Sequence, residues 1–290
     1  MIRILITGKT GQVGYELERS LQGLGEIIAL DRRQMDLADL TQVRDMIRRL
    51  KPTLIVNPAA YTAVDKAESE PELAMRINGE APAVMAEEAK KLGAAMIHYS
   101  TDYVFDGSKN GPYVETDPTC PVNVYGSSKL AGEQAIQAAG IPHLILRTSW
   151  VYSMHGKNFL LTMLRLAQER DELSIVSDQV GAPTWSRTIA DTTAHIVAQS
   201  VVATNRQAWW DKRSGLYHLT AQGQTSWFGF TEAIMAHASI AKKPRLRPIL
   251  AQAYPVPARR PANSVLSSER LKKAFCGLPQ WQDALKLCQD

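Results

Sequence analysis

Ile4-Leu5-Ile6-Thr7-Gly8-Lys9-Thr10-Gly11-Gln12-Val13-Gly14 is the stretch that decides the fold. An unbroken apolar run ends in three glycines spaced G-x-x-G-x-x-G. Apolar residues then recur at helical spacing, at Val13, Leu17, Leu21 and Leu24. The run reads as a strand buried on both faces, over 2–7, followed by a helix over 13–24. Glycine at the turn permits positive φ and close backbone approach. The helix N-terminus, with its free N–H groups, then faces whatever phosphate lies at the turn. Gly8-Lys9-Thr10 invites comparison with the triphosphate-binding loop G-x-x-x-x-G-K-[ST]. That motif requires a glycine five residues before Gly8, where Arg3 stands inside the strand, so the comparison fails.

Outward from this stretch the same rhythm repeats. Strand patterns fall at 26–31, 54–57, 94–100 and 143–148, with helical patterns at 39–50, 70–92 and 123–138 between them. Alternation of this kind predicts an α/β, Rossmann-type doubly wound parallel sheet, covered by helices on both faces. After Trp150 the rhythm changes. Helices are predicted at 159–168, 188–200 and 227–238. Between them lie a Gly181-Ala182-Pro183 loop, a polar, tryptophan-bearing loop around 205–215 and a short strand at 216–220. A Pro- and Arg-rich segment, 244–261, and two terminal helical stretches follow. The reading is an NAD(P)-binding domain over 1–150, to which some later segments return, and over 151–290 mainly a smaller α/β substrate-binding lobe. Ligands would lie in the crevice at the carboxyl ends of the strands.

Composition narrows the class. The chain has 290 residues, 45% of them hydrophobic, and a net charge of +4, too mild to argue for nucleic acid. It contains no apolar run of transmembrane length and no leader-like N-terminus, which predicts a cytoplasmic protein away from membranes. Three scattered cysteines, Cys120, Cys276 and Cys288, fit neither a disulfide framework nor a zinc site. Basic residues cluster late, at Lys242, Lys243, Arg245, Arg247, Arg259 and Arg260; they form a solvated face or receive a small anionic ligand.

The glycine loop supplies Gly8, Gly11, Gln12, Val13 and Gly14 as cofactor-binding candidates. Asp31 ends the second strand 20 residues after Gly11, the spacing of the acid that binds an adenosine ribose. Arg32 and Arg33 follow, and an arginine there can hold a 2′-phosphate. The acid speaks for NADH and the arginines for NADPH, so both cofactors are expected to work. Asp36 and Leu37 are placed to border the adenine. Asn57-Pro58-Ala59-Ala60-Tyr61 ends the third strand, and its small side chains let a dinucleotide lie against the backbone.

Tyr125-Gly-Ser-Ser-Lys129 carries the chemistry. Positions i and i+4 share one helical face. A phenol with a pKa near 10 is a poor acid-base group at neutral pH; a neighbouring ammonium and an oxidised nicotinamide are expected to lower that pKa. Lys129 can also hold ribose hydroxyls. The preceding strand ends in Ser100-Thr101-Asp102, which lets Thr101 donate to the oxygen that Tyr125 protonates. Trp150 follows the fifth strand and is expected beside the cleft, as a substrate contact or as core. The six histidines assemble no metal or nucleophile motif, and His98, in a buried strand, reads as structural. No metal ligands are assigned.

Together these runs resemble the extended short-chain dehydrogenase/reductase superfamily and, more narrowly, its dTDP-4-dehydrorhamnose reductases. Beyond the glycine loop and the Tyr/Lys pair, the resemblance rests on Ala63-Val64-Asp65-Lys66-Ala67-Glu68, Asp102-Tyr103-Val104-Phe105, Arg147-Thr148-Ser149-Trp150-Val151-Tyr152 and Gly181-Ala182-Pro183-Thr184. It also rests on Arg260-Pro261-Ala262-Asn263-Ser264. By position, it implies that Gly11, Gln12, Val13, Asp31, Asp36, Leu37, Ala60, Tyr61 and Thr62 touch the cofactor. Thr101, Asp102 and Trp150 would touch the sugar nucleotide, with Tyr125 as proton donor assisted by Lys129. The implied reaction is hydride transfer from NADPH or NADH to the C4 ketone of dTDP-4-dehydro-β-L-rhamnose. Members of the family are associated with Mg²⁺ at a dimer contact. Glu16 matches one of its acids, but Arg187 stands at another and the chain ends at Asp290 near a third. A metal-bridged dimer is therefore doubtful, and a monomer or a homodimer remains open. Two alternatives also remain: a sugar-nucleotide epimerase or dehydratase of the same superfamily, and a non-catalytic regulatory subunit on the same fold.

Overall fold

The computed structural model describes residues 2–240 and 243–290; Lys242 of the basic cluster lies outside them. In chain order the first half contains β1 (Arg3–Ile6), α1 (Gln12–Ser20), β2 (Glu26–Ala29), α2 (Leu40–Leu50) and β3 (Leu54–Asn57). The short helices α3 (Val64–Ala67) and α4 (Pro71–Met75) follow, then α5 (Ala81–Leu92), β4 (Ala95–Thr101), α6 (Val124–Ala139) and β5 (His143–Thr148). The second half contains β6 (Val151–Tyr152), α7 (Phe159–Glu169), β7 (Glu172–Val176), β8 (Val180–Gly181), β9 (Thr184–Trp185), α8 (Ser186–Val202) and α9 (Arg206–Arg213). It ends with β10 (Gly215–His218), β11 (Thr225–Ser226), α10 (Trp227–His237), β12 (Arg245–Ile249), α11 (Glu269–Ala274) and α12 (Trp281–Gln289).

The central sheet has the order β10-β5-β4-β3-β1-β2, with every neighbour parallel. This is the doubly wound sheet that the β-α alternation predicts. Alternate strand residues bury opposite ways, as period-2 geometry requires. Ile4 and Ile6 join Leu17, Ile97, Leu144 and Ile189 on one face, while Leu5 joins Val43, Ile55, Met85, Met96 and Ile145 on the other. The chain reverses direction across the sheet at β1 and β3. The glycine loop and the segment after Asn57 therefore flank one crevice, the place where open α/β sheets bind ligands.

Helix ends follow side-chain chemistry. Asp39 caps α2 by accepting from the N–H of Gln42, and Asn123 caps α6 by accepting from the N–H of Gly126 at 2.7 Å. The predicted helix over 70–92 is interrupted: residues 76–80 form one π-helical turn between α4 and α5. There α6 passes so close that a Cβ on Gly132 would lie 2.2 Å from the carbonyl oxygen of Asn78.

The expected loop around 205–215 is a helix, α9. Its polar composition hides two buried anchors, Trp209 and Trp210, which join the sheet core near Tyr217 and Phe275. Asn205 caps it through the N–H of Ala208. The strand predicted at 216–220 is β10, which extends the main sheet beside β5. Sequence patterning misses β7 and β12, which pair in parallel. Charge and Pro248 in Arg245-Leu246-Arg247-Pro248-Ile249 mask a strand that borrows its register from Leu173 and Ile175. These strands, with α7, α10 and α12, enclose a separate core around Leu160, Phe230, Ile234, Trp281 and Leu285. Among the described residues no helix is long and apolar enough to cross a membrane.

Candidate active site

A cleft of about 640 Å³ runs along the carboxyl ends of the strands, within the range of small-molecule sites. Its near end is the glycine loop. Gly8 has φ +58, and a Cβ there would lie 2.8 Å from that of Ala59. A Cβ on Gly14 would lie 2.2 Å from the carbonyl oxygen of Gly8, so the loop folds back on the first turn of α1. Gly11, Gln12 and Val13 line the cleft beside them, and Arg32, Asp36 and Leu37 line its outer end. The segment after β3 contributes Ala59, Ala60, Tyr61 and Thr62.

Asp31 and Arg33 stand outside the lining residues. One Asp31 oxygen accepts from the N–H groups of Arg33 at 2.9 Å and Gln34 at 3.2 Å, so this carboxylate shapes the turn after β2. Arg32 is 75% exposed and reaches Asp36 at 3.3 Å. Of the two arginines, it is the one placed toward the cleft.

Tyr125 and Lys129 line the far end, on one face of α6, as their spacing predicts. Lys129 is buried; its Nζ donates to the carbonyl oxygen of Tyr99 at 2.6 Å and lies 3.2 Å from Nε2 of His98. Burial lowers its pKa to about 8, opposed by the charge of Glu133. In the protein alone the ammonium does not lower the Tyr125 pKa. Burial raises it to about 12, with the Thr101 hydroxyl pulling it down and the Asp102 charge adding to the rise. The ammonium is engaged on the strand side of the helix, so desolvation wins.

Thr101 and Asp102 are buried beside Tyr125 at the end of β4. The Thr101 hydroxyl donates to Oδ1 of Asp102 at 2.9 Å and accepts from the N–H of Tyr103 at 3.2 Å. Burial raises the Asp102 pKa to about 6, against the Ser264 and Thr101 hydroxyls, which lower it. Its Oδ2 meets no donor with hydrogen-bond geometry among the described residues.

Trp150 has φ +47, uncommon for a residue with a side chain. Its half-buried indole stacks on Trp227 at 3.5 Å between centroids and nearly parallel. It also presses on Gly181, where a Cβ would fall 2.4 Å from Cε2. It lies outside the lining of the main cleft, against the lobe that carries α10.

Distant motif runs meet around this end. Arg260 pairs with Asp65 at 2.7 Å. Asn123, the α6 cap, donates to the carbonyl oxygen of Arg259 at 2.8 Å. Ser264 is pinned by its N–H to Val180.

Several contributors escape sequence reasoning. Asn78, on the π-helical turn, accepts from the N–H of Tyr61 at 2.8 Å. It donates to the Tyr61 carbonyl and to Ser128, each at 3.0 Å. It therefore locks the loop after β3 to α6. The only hint is an Asn-Gly pair inside a helical pattern. Glu133 and Arg147 form a buried two-pronged pair, at 2.8 and 2.7 Å, that ties α6 to β5. The segment 153–157 crosses the glycine loop: Ser153 donates to Gln12 at 3.1 Å, His155 stacks on Tyr15 at 4.0 Å, and Gly156 and Lys157 line the cleft.

Among the described residues no group of three or more His, Cys, Asp or Glu side chains stands together as a metal site. Arg187, which stands where the resemblance expects an acid, pairs its guanidinium with Asp191 at 3.6 Å.

The family described as RmlD substrate binding domain matches residues 2–290. A dTDP-4-dehydrorhamnose reductase of Burkholderia thailandensis is 53% identical, over 99% of this chain and 98% of its own. One from Escherichia coli K12 is 47% identical, over 98% and 96%. The crystal structure of dTDP-4-dehydrorhamnose reductase from Bacillus anthracis in complex with NADP superposes with a TM-score of 0.90. It is 33% identical and is covered to 98%, over 99% of this chain. By sequence and fold, the chain belongs to the RmlD substrate binding domain family.

Proposed function

We propose that the chain reduces the C4 ketone of dTDP-4-dehydro-β-L-rhamnose to dTDP-L-rhamnose with NADPH or NADH. The carrying observation is the continuous cleft, which joins a glycine cradle at one end to Tyr125 and Lys129 at the other. The cradle fits a dinucleotide, because Gly11 lines the cleft with open space beside it: a Cβ there would meet only the Gly8 carbonyl oxygen, at 3.4 Å. When bound, the dihydronicotinamide supplies the hydride. Residues 1–150 form the cofactor domain in this reading, and 151–290 mainly the sugar-nucleotide lobe.

Tyr125 serves as the acid. A phenol whose pKa stands at about 12 is fully protonated at neutral pH and ready to donate to a developing alkoxide. Lys129, held on Tyr99, presents its charge to the cofactor ribose and to the phenol. Thr101 supplies a second donor by turning its hydroxyl from Asp102 to the substrate oxygen. Asp102 is taken to contact the sugar nucleotide, as the resemblance implies. Trp150, backed by Trp227, offers an apolar face for the sugar.

Three unpaired cysteines suit a reducing, cytoplasmic setting. The enzyme is taken to act as a monomer or a homodimer on small molecules, without nucleic acid or membrane.

Oxidation of NADPH in the presence of dTDP-4-dehydrorhamnose tests the reading. An epimerase or a dehydratase would consume no net NADPH, and a regulatory subunit would turn over nothing. Tyr125→Phe should lower kcat by roughly 10²–10⁴-fold with the NADPH Kd little changed. Near-normal turnover in that variant would remove Tyr125 from the mechanism.

A further inference from the structure

On its buried side Lys129 meets a chain of polar side chains that the reaction scheme leaves unused. The Lys129 Nζ lies 3.2 Å from Nε2 of His98. The Nδ1 of His98 lies 3.0 Å from Nδ2 of Asn57, whose Oδ1 accepts from the Thr7 hydroxyl at 2.6 Å. Thr7 also accepts from the N–H of Ala59 at 3.3 Å and immediately precedes Gly8. All four side chains are buried. The chain therefore spans from the catalytic helix, through β4 and β3, to the root of the glycine loop.

Protonation decides its direction. A neutral imidazole has one N–H and one lone pair, and an ammonium can only donate. Burial and the facing Lys129 charge hold the His98 pKa well below its ordinary value, so the ring is neutral. The charged groups nearest to Lys129 leave it protonated at neutral pH: Glu133 lies one turn along α6, held by Arg147 from β5. The Tyr99 phenol is turned away onto Thr193, and the Tyr125 phenol is protonated. Facing an ammonium, Nε2 must carry the lone pair and Nδ1 the proton. Asn57 then turns its oxygen to the ring and its NH₂ to Thr7. In the structure the carboxamide is placed the other way, with its NH₂ at Nδ1 of His98 and its oxygen accepting from Thr7 at 2.6 Å; its two ends have the same shape, and the orientation that answers to an ammonium exchanges them. The opposite orientation, in which Thr7 donates to Asn57, suits an uncharged lysine.

We propose that His98 is a positioning residue for Lys129: as the Nδ1–H tautomer, it accepts from the ammonium and, with the Tyr99 carbonyl, holds that charge beneath the cofactor cleft. A residue that reads as structural from its buried strand thus sets the position of the catalytic lysine. The inference rests on the cofactor role of Lys129 given above.

Two variants separate positioning from bulk. The carboxamide of a glutamine reaches the place of Nε2, whereas that of an asparagine reaches only that of Nδ1. His98→Gln should therefore keep kcat within about threefold, while His98→Asn should lower it by about 10- to 100-fold, the cost of a misplaced group. Melting temperatures are measured alongside. Equal losses in the two variants, or no loss in His98→Asn, would overturn the proposal. Should either variant fail to fold, ¹⁵N NMR of the unaltered protein decides on its own. The His98 ring should show a protonated Nδ1 and a bare Nε2 at pH 7, and the reverse tautomer would overturn the proposal. That spectrum needs no substrate, so it stands whether or not the unaltered enzyme reduces dTDP-4-dehydrorhamnose.

Discussion

Gly14 and Gly11 differ by three positions in one loop, yet the structure gives them different tasks. An alanine methyl at position 14 would sit 2.2 Å from the Gly8 carbonyl oxygen and 2.8 Å from its carbon. Tolerated contacts begin near 3.0 Å, so α1 and the loop must part by about 0.8 Å. Both obstructing atoms are backbone, and no side chain can swing away to relieve them. Overpacking of this kind costs about 1–3 kcal/mol. The same displacement spoils the cradle, so Gly14→Ala should lower Tm and weaken NADPH together. At position 11 a methyl would meet only the Gly8 oxygen, at 3.4 Å, and φ is already −79. Gly11→Ala should leave Tm almost unchanged. It should still raise the NADPH Kd, because the methyl enters the space a dinucleotide backbone would use. The assay is a fluorescence titration with NADPH beside a thermal melt of each variant. A normal Tm and Kd in Gly14→Ala would refute the folded-back loop. Loss of Tm in Gly11→Ala, with the Kd of its folded fraction unchanged, would refute the proposed cofactor path.

Glu133→Ala would strand Arg147 as an unpaired buried charge and should cost about 3–5 kcal/mol in urea denaturation. Asp102 titrates at about 6 when folded, above its ordinary value of 3.8. The native state then binds more protons than the unfolded chain between those values, so stability should fall as pH rises from about 4 to 6 and level off above. Asp102→Asn should flatten that decline, measured by urea denaturation across the same range. Arg32→Ala should weaken NADPH by roughly fivefold to tenfold, a modest figure for an exposed arginine. NADH should change much less, and Arg33→Ala should affect neither, as read by Kd.

Much of the molecule was written locally. The glycine loop after an apolar run, the repeating β-α pattern and the Tyr125/Lys129 spacing depend on neighbours within about one helical turn or strand. The sheet and the shared face of Tyr125 and Lys129 on α6 were therefore legible from the chain alone. The pKa of Tyr125 was not, because burial and the direction of the Lys129 side chain come from elements far away in sequence. Nor could the chain announce β12, whose register is supplied by β7, or α9, whose polar sequence becomes a helix on two buried tryptophans. The motif runs at Asp65 and at Arg260–Ser264 could be recognised one by one. Their meeting beside Asp102 is a tertiary event. The same holds for His98. A histidine in a buried strand is an ordinary core residue until folding sets an ammonium 3.2 Å from its ring. Periodicity reports which way a side chain points, and folding decides what stands opposite.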